Sequence, residues 1–207
     1  MANKFGLIIL YVKKIDGDSN EKKVYEKSLN EERYLSDIYD DKKIIFTEND
    51  FLKSIDLISE DIKTKYDLKN RKIGLIGVAR GALPLLTAVS HYLDIRNISV
   101  IQIQMTNTDK VKDYGETRFI NQMLQDDIKD YILLEDIVSH GRCSNFSINY
   151  LKEKGKNVLA VYSLVMNDFF KEKDYDIKTD VNYVYLITDS QWVHFSWEKD
   201  YKSYRSS

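Results

Sequence analysis

Between Lys42 and Val165, short apolar runs alternate with segments of helical period, and this alternation constrains the fold more than any other feature of the sequence. Residues 44–46, 73–78, 98–103, 131–134 and 158–165 read as strands, and continuous apolar runs of that kind suit strands buried on both faces. Phe51, Ile55, Ile58 and Ile62 recur at helical spacing behind Thr47, which with Asp50 three residues on resembles a capping box. Pro84 stands near the start of a second helix that continues through residues 85–93, a position where proline is tolerated. Cys143, Phe146 and Tyr150 mark a third helix, stopped by Gly155 behind Lys152 and Lys154. From residue 73 the order is strand, helix, strand, loop, strand, helix, strand. It predicts an α/β fold, a parallel sheet flanked by helices.

The length, 207 residues, suits one domain over 42–207 preceded by an N-terminal extension over 1–41. In that extension, residues 7–12 form an apolar run far too short to span a bilayer, and Lys13 and Lys14 follow it rather than a cleavage site. A buried strand is the better reading. Residues 21–41 are crowded with charge and tyrosine and read as a solvated helix with a loop. The 31 basic and 33 acidic residues leave a net charge of −2, with no strong basic cluster. That balance argues against coating nucleic acid or an anionic membrane. A single cysteine, Cys143, permits no internal disulfide and suits a reducing, cytoplasmic setting. His91, His140 and His194 lack zinc-ligand spacing.

In folds of this class ligands sit beyond the carboxyl ends of the strands. Residues 131–143 read Tyr-Ile-Leu-Leu-Glu-Asp-Ile-Val-Ser-His-Gly-Arg-Cys. Four apolar residues carry Glu135 and Asp136 to a strand tip, and Gly141 then allows a tight turn into a helix. Backbone amides at such a turn make an anion site, and neighbouring acids suit sugar hydroxyls or a magnesium ion. A phosphorylated sugar fits this arrangement; a plain βα turn with two capping acids fits it equally.

This segment resembles the phosphoribosyl-pyrophosphate signature of the type I phosphoribosyltransferases in Glu135, Asp136, Ile137, Val138, Gly141 and Arg142. The resemblance implies that Glu135 and Asp136 hold the ribose hydroxyls, often beside Mg2+, and that Ser139, His140, Gly141, Arg142 and Cys143 hold the 5′-phosphate. Residues 78–82, Val-Ala-Arg-Gly-Ala, are similar to the family's pyrophosphate loop. There Ala79, Arg80 and Gly81 would meet pyrophosphate, Arg80 by forking onto its oxygens and Gly81 by letting the backbone approach. The peptide before Arg80 is often cis in relatives.

Residues 189–198 resemble the tryptophan segment of the xanthine-guanine and related purine phosphoribosyltransferases. That resemblance implies base contacts from Val138, Trp192 and Val193, with Trp192 stacking on a flat heterocycle; Trp197 reads as core or dimer interface. Residues 106–118 stand where the family keeps a lid, and Lys110, Lys112, Tyr114 and Arg118 would suit closure over pyrophosphate. The family also implies a Rossmann-like core with a small hood from terminal segments, a possible homodimer, and phosphoribosyl pyrophosphate and a nucleobase as partners.

The pattern breaks at four places. Ser139 stands where purine-using members place an aspartate facing the base, and a hydroxyl cannot carry that charge. His140 replaces a usual threonine and reads as a phosphate-loop variant, an exposed histidine or a substitute base. Cys143 replaces a hydroxyl residue and reads as a small helix-start residue rather than a nucleophile. Relatives also hold a lysine at the end of the fourth strand; residues 162–166 here contain none. These readings give a magnesium-dependent phosphoribosyltransferase acting on a purine-like base, with catalysis by Glu135, Asp136 and Arg80. The alternative is a non-catalytic regulator that senses phosphoribosyl pyrophosphate or a nucleotide.

Overall fold

The protein is described by a computed structural model over residues 39–40, 43–106, 114–170, 180–187 and 192–198. The expected strand at 7–12, most of the 21–41 stretch, and Lys110 and Lys112 of the expected lid lie outside the described residues.

Strands β1 (Tyr39–Asp40) and β2 (Lys43–Phe46) pair antiparallel. Helix α1 (Glu48–Lys65) starts at once because Thr47 caps it. The Asp50 N–H donates to Thr47 Oγ1 at 3.2 Å, and the Thr47 N–H donates to Asp50 Oδ2 at 2.9 Å. This is the reciprocal box the sequence predicts, a device worth about 1 kcal/mol. There follow β3 (Ile73–Ala79), α2 (Leu83–Leu93), β4 (Ile98–Thr106), β5 (Tyr114–Met123) and β6 (Asp130–Val138). The remaining elements are α3 (Arg142–Glu153), β7 (Asn157–Asn167), β8 (Val181–Ile187) and β9 (Trp192–Phe195).

The main sheet has the order β5-β4-β3-β6-β7-β8. Strands β4, β3, β6, β7 and β8 run parallel, and β5 closes one edge antiparallel to β4. The expected parallel sheet is thus present with one antiparallel edge. Strand β5 enters a stretch read above as loop: Tyr114 pairs with Thr106, and Arg118 with Gln104. An edge strand packs and pairs on fewer sides than a central one, so it needs no unbroken apolar run to announce it.

Period-two alternation divides the core. Leu75, Ile132 and Leu134 pack with Ile58 and Ile62 of α1 and with Leu85 and Val89 of α2. Ile76, Val78, Tyr131 and Leu133 face the other way, towards Leu151 of α3. Helices therefore cover both faces, and each buried leucine or isoleucine contributes about 1.5–3 kcal/mol by leaving water.

A second, three-stranded sheet, β1-β2-β9, is built from the two terminal regions, as the expected hood requires. Strands β2 and β9 are parallel, with Ile44 opposite Val193 and Phe46 opposite Phe195. Phe46 is fully buried and meets Tyr185 edge-on at 5.5 Å. Trp197 stacks on Phe195 at 4.8 Å and reaches Phe51 at 5.2 Å, so it joins the aromatic packing beneath the hood. Among the described residues no helix is long and apolar enough to cross a membrane.

Candidate functional site

Two neighbouring central strands, β3 and β6, end side by side and each leads through a tight turn into a helix. Neither helix is closed by a side chain. Ala82 precedes α2 and Gly141 precedes α3 as N-cap residues, and neither makes a side-chain cap hydrogen bond, in contrast to the boxed start of α1. Gly141 has φ 71°, a left-handed conformation that a residue with a side chain adopts only at a cost. The open start of α3 presents backbone amides and a positive dipole end to an anion, whereas at α2 the Leu83 N–H already donates to the Arg80 carbonyl at 3.1 Å and Pro84 has no N–H, which leaves chiefly the dipole end.

At the first turn the Ala79–Arg80 peptide is cis. The Ala82 N–H donates to the Val78 carbonyl at 3.1 Å, which folds residues 79–81 outward, and the Arg80 side chain is exposed there. Gly81 lies against Asp136. A Cβ added to Gly81 would fall inside the carboxylate of Asp136. The turn after β3 and the acid of β6 are thus in direct contact.

The two adjacent acids do not share one environment. Strand alternation sends Asp136 to the Gly81 side and Glu135 to the α3 side. Glu135 is buried, and the Ser144 hydroxyl donates to its Oε1 in a short hydrogen bond. Burial pushes the Glu135 carboxyl up to about 8; Ser144 opposes that shift and the charge of Asp136 adds to it. Asp136 is half-buried, and burial pushes its carboxyl up to about 6. Its own amide and that of Ile137 oppose the rise, whereas Glu198 adds to it. The backbone carbonyl of Asp136 accepts from Ser163 Oγ at 3.3 Å, which ties the strand end to β7.

Beyond Val138 the turn forms a small, open-sided cleft lined by Glu135, Val138 and residues 139–143. Ser139 and His140 are half-buried, and Ser139 Oγ lies 3.3 Å from His140 Nδ1. Arg142 is exposed. The Cys143 thiol is pushed far up, first by burial and then by Glu135 and Asp136, so it stays protonated. That suits a small helix-start residue and not a nucleophile.

The other expected site residues are placed as follows. Val138 is buried and lines the cleft. Val193 is buried in the hood core beside Phe46 and Phe195. Trp192 opens β9 opposite Lys43, and its side chain lies outside the described residues, as do the side chains of Tyr114 and Arg118. Strand β7 ends at Asn167, a buried neutral amide whose Oδ1 accepts from the Phe169 N–H at 3.1 Å. Among the described residues no group of three or more His, Cys, Asp or Glu side chains could hold a metal ion.

Two residues of the site carry roles the sequence reading did not give them. Ser144 falls in the buried row of α3 with Ser147 and Leu151. A serine at helical spacing below a strand-end acid was the available signal. Glu198 accepts from the Phe195 N–H at 3.1 Å and sits 3.8 Å from His194 Nδ1. It brings a charge of the hood within reach of Asp136.

No family model matches the sequence. The chain is 23% identical over 155 residues to a hypoxanthine-guanine phosphoribosyltransferase of Streptococcus pyogenes, covering 74% of this chain and 83% of that protein. It is 33% identical over 81 residues to the transcriptional regulator GfcR of Methanococcus maripaludis, 38% of each chain. Among solved structures, the xanthine-guanine-hypoxanthine phosphoribosyltransferase of Helicobacter pylori matches with a TM-score of 0.58 at 19% identity, over 80% of this chain and 99% of that one. A Neisseria gonorrhoeae protein with bound ppGpp matches with a TM-score of 0.62 at 14% identity, over 82% and 97%. The chain therefore has the type I phosphoribosyltransferase fold and, at low identity, resembles the purine-using phosphoribosyltransferases.

Proposed function

We propose that the protein transfers the 5-phosphoribosyl group from phosphoribosyl pyrophosphate to a nitrogenous, purine-like base and releases pyrophosphate. The observation that carries this reading is the contact of Asp136 with Gly81, which unites a carboxylate and an arginine-bearing turn beside an uncapped helix start. A fold alone would not support it, since one fold hosts many activities.

In this reading the 5′-phosphate rests on the 139–143 turn, with Gly141 and Arg142. The pyrophosphate meets Arg80 and the Gly81 backbone. Asp136 takes the ribose hydroxyls, and Glu135 supports the loop from behind through Ser144. The base lies towards Val138 and the hood, where Trp192 and Val193 belong to β9. Magnesium ordinarily takes one or two carboxylates together with substrate phosphates. Asp136 fits that demand, while Glu135, buried and engaged by Ser144, fits it poorly. The ion would supply neutralisation of the leaving pyrophosphate. The chain's own share is to position donor and acceptor and to stabilise the departing charge. Lys110, Lys112, Tyr114 and Arg118 are the proposed lid, excluding water from the developing glycosyl cation.

Pyrophosphate release, measured with Mg2+ across purines, pyrimidines and nicotinamide, tests the reading. Turnover with a purine that falls on Asp136→Asn or Arg80→Ala is expected. No turnover with any base overturns it.

A second reading, a regulator that binds phosphoribosyl pyrophosphate or a nucleotide without turning it over, has specific support of its own. Ser139 occupies the position of the base-facing acid, and the likenesses include a transcriptional regulator and a protein with bound ppGpp. Residues 1–41 would then be a partner-binding part. Tight binding without product distinguishes this reading from the first. Either protein would work in the cytoplasm, where such ligands are found.

A further inference from the structure

We propose that Ser139 and His140 together form the proton-accepting pair for the attacking heterocycle, Ser139 touching the acceptor and His140 acting through it. This inference rests on the transfer reading above. Its basis is geometric. Ser139 is the first residue beyond β6, both side chains line the cleft of the 139–143 turn, and Ser139 Oγ is 3.3 Å from His140 Nδ1. Both are half-buried, so the pair is shielded from bulk water yet reachable from the open side of the cleft. A serine hydroxyl alone is a very weak base, but one that hands its proton to an imidazole is an effective relay.

The contact requires the tautomer with hydrogen on Nε2, so that Nδ1 accepts from the Ser139 hydroxyl. In the transfer step the acceptor nitrogen forms its bond to C1′ of the donor. The C1′–oxygen bond to pyrophosphate breaks, and its electron pair leaves with pyrophosphate. The heterocycle attacks through an unprotonated ring nitrogen, and the proton on another of its ring nitrogens passes to Ser139 Oγ as the Ser139 proton passes to His140 Nδ1. An imidazolium remains in a cleft that holds an anionic sugar phosphate, and a neighbouring anion favours that charge. The charge that purine-using relatives place as a carboxylate on the base side is thereby replaced by a neutral pair that becomes positive during the reaction.

The test compares the full-length wild type with His140→Ala, Ser139→Ala, Ser139→Asp and the double variant Ser139→Asp/His140→Ala, measuring kcat and the KM for phosphoribosyl pyrophosphate. A general base contributes about 10²–10⁴-fold, so His140→Ala and Ser139→Ala are expected to lower kcat by about 10²-fold with little change in donor KM. In the double variant the new carboxylate is expected to restore kcat without the imidazole. Unchanged kcat in His140→Ala overturns the proposal. A rise in donor KM alone, which would mean that His140 serves the phosphate, also overturns it. Nitrogen-15 spectra of the His140 ring give a readout independent of turnover: hydrogen on Nε2 supports the relay and hydrogen on Nδ1 overturns it. Wild-type protein inactive with every base defeats the transfer reading itself and this inference with it; an active wild type with indifferent variants defeats only the inference.

Discussion

Gly81 and Asp136 touch across the seam between β3 and β6, and the carboxylate occupies the space that a side chain at residue 81 would need. Strands that neighbour in the sheet thus bring an acid and the Arg80-bearing turn together without any intervening side chain. Gly81→Ala is expected to push Asp136 out of place. Overpacking at a tight site costs about 1–3 kcal/mol, so denaturant unfolding should register a loss of that size. Calorimetry with phosphoribosyl pyrophosphate should register weaker binding at the same time. Stability and binding both unchanged would show that the two residues are independent.

Glu135 makes stability depend on pH. Its folded-state carboxyl is raised from an ordinary 4.5 to about 8, so between those values the native state binds more proton than the unfolded chain. The stabilisation is therefore complete below about 4.5 and is lost as pH rises towards 8. Asp136, raised from 3.8 to about 6, adds a loss in the same direction over a lower window. Urea unfolding is expected to give lower stability at pH 8 than at pH 5. Glu135→Gln, which cannot ionise, should flatten the slope across the upper part of that range.

Ser144 supplies the hydroxyl that Glu135 needs. Removing the donor from a buried acceptor costs about 1–3 kcal/mol. Ser144→Ala should lose stability by that amount, while Ser144→Thr, which keeps the hydroxyl, should lose less. The same denaturant series reads both. A combined Ser144→Ala/Glu135→Gln variant should cost less than the two separate losses added together, because the residues interact directly.

Cys143 is the only thiol in the chain, and its environment keeps it protonated. A thiol reagent added to native protein at neutral pH should label it slowly, and labelling should become fast on unfolding. Rapid labelling of the folded protein would contradict the burial and the protonation state together.

The sequence made the central strands readable because they are the ones enclosed on both faces. Residues 73–78 and 131–134 show unbroken apolarity for that reason, and Thr47 with Asp50 announces α1 through a local box. Strand β5 was not readable, since an edge strand carrying Glu116, Arg118 and Asn121 lacks such a run. The pairing of β2 with β9 was hidden for another reason: it joins residues about 150 positions apart, beyond any local pattern. In the site, the acids of β6 read naturally as one pair because they are adjacent. Strand periodicity separates them, Asp136 towards Gly81 and Glu135 towards Ser144. The motif lies where β6 turns into α3, while the separation of its two acids into different surroundings depended on the strand's geometry.

The parallel seam between Lys43–Phe46 and Trp192–Phe195 also governs how the polypeptide matures. During synthesis Phe46 emerges long before Phe195, so the early strand waits with its greasy side unmatched until nearly the whole sheet has left the ribosome. Closure of this small sheet thus has to wait for residues 192–195 to be made.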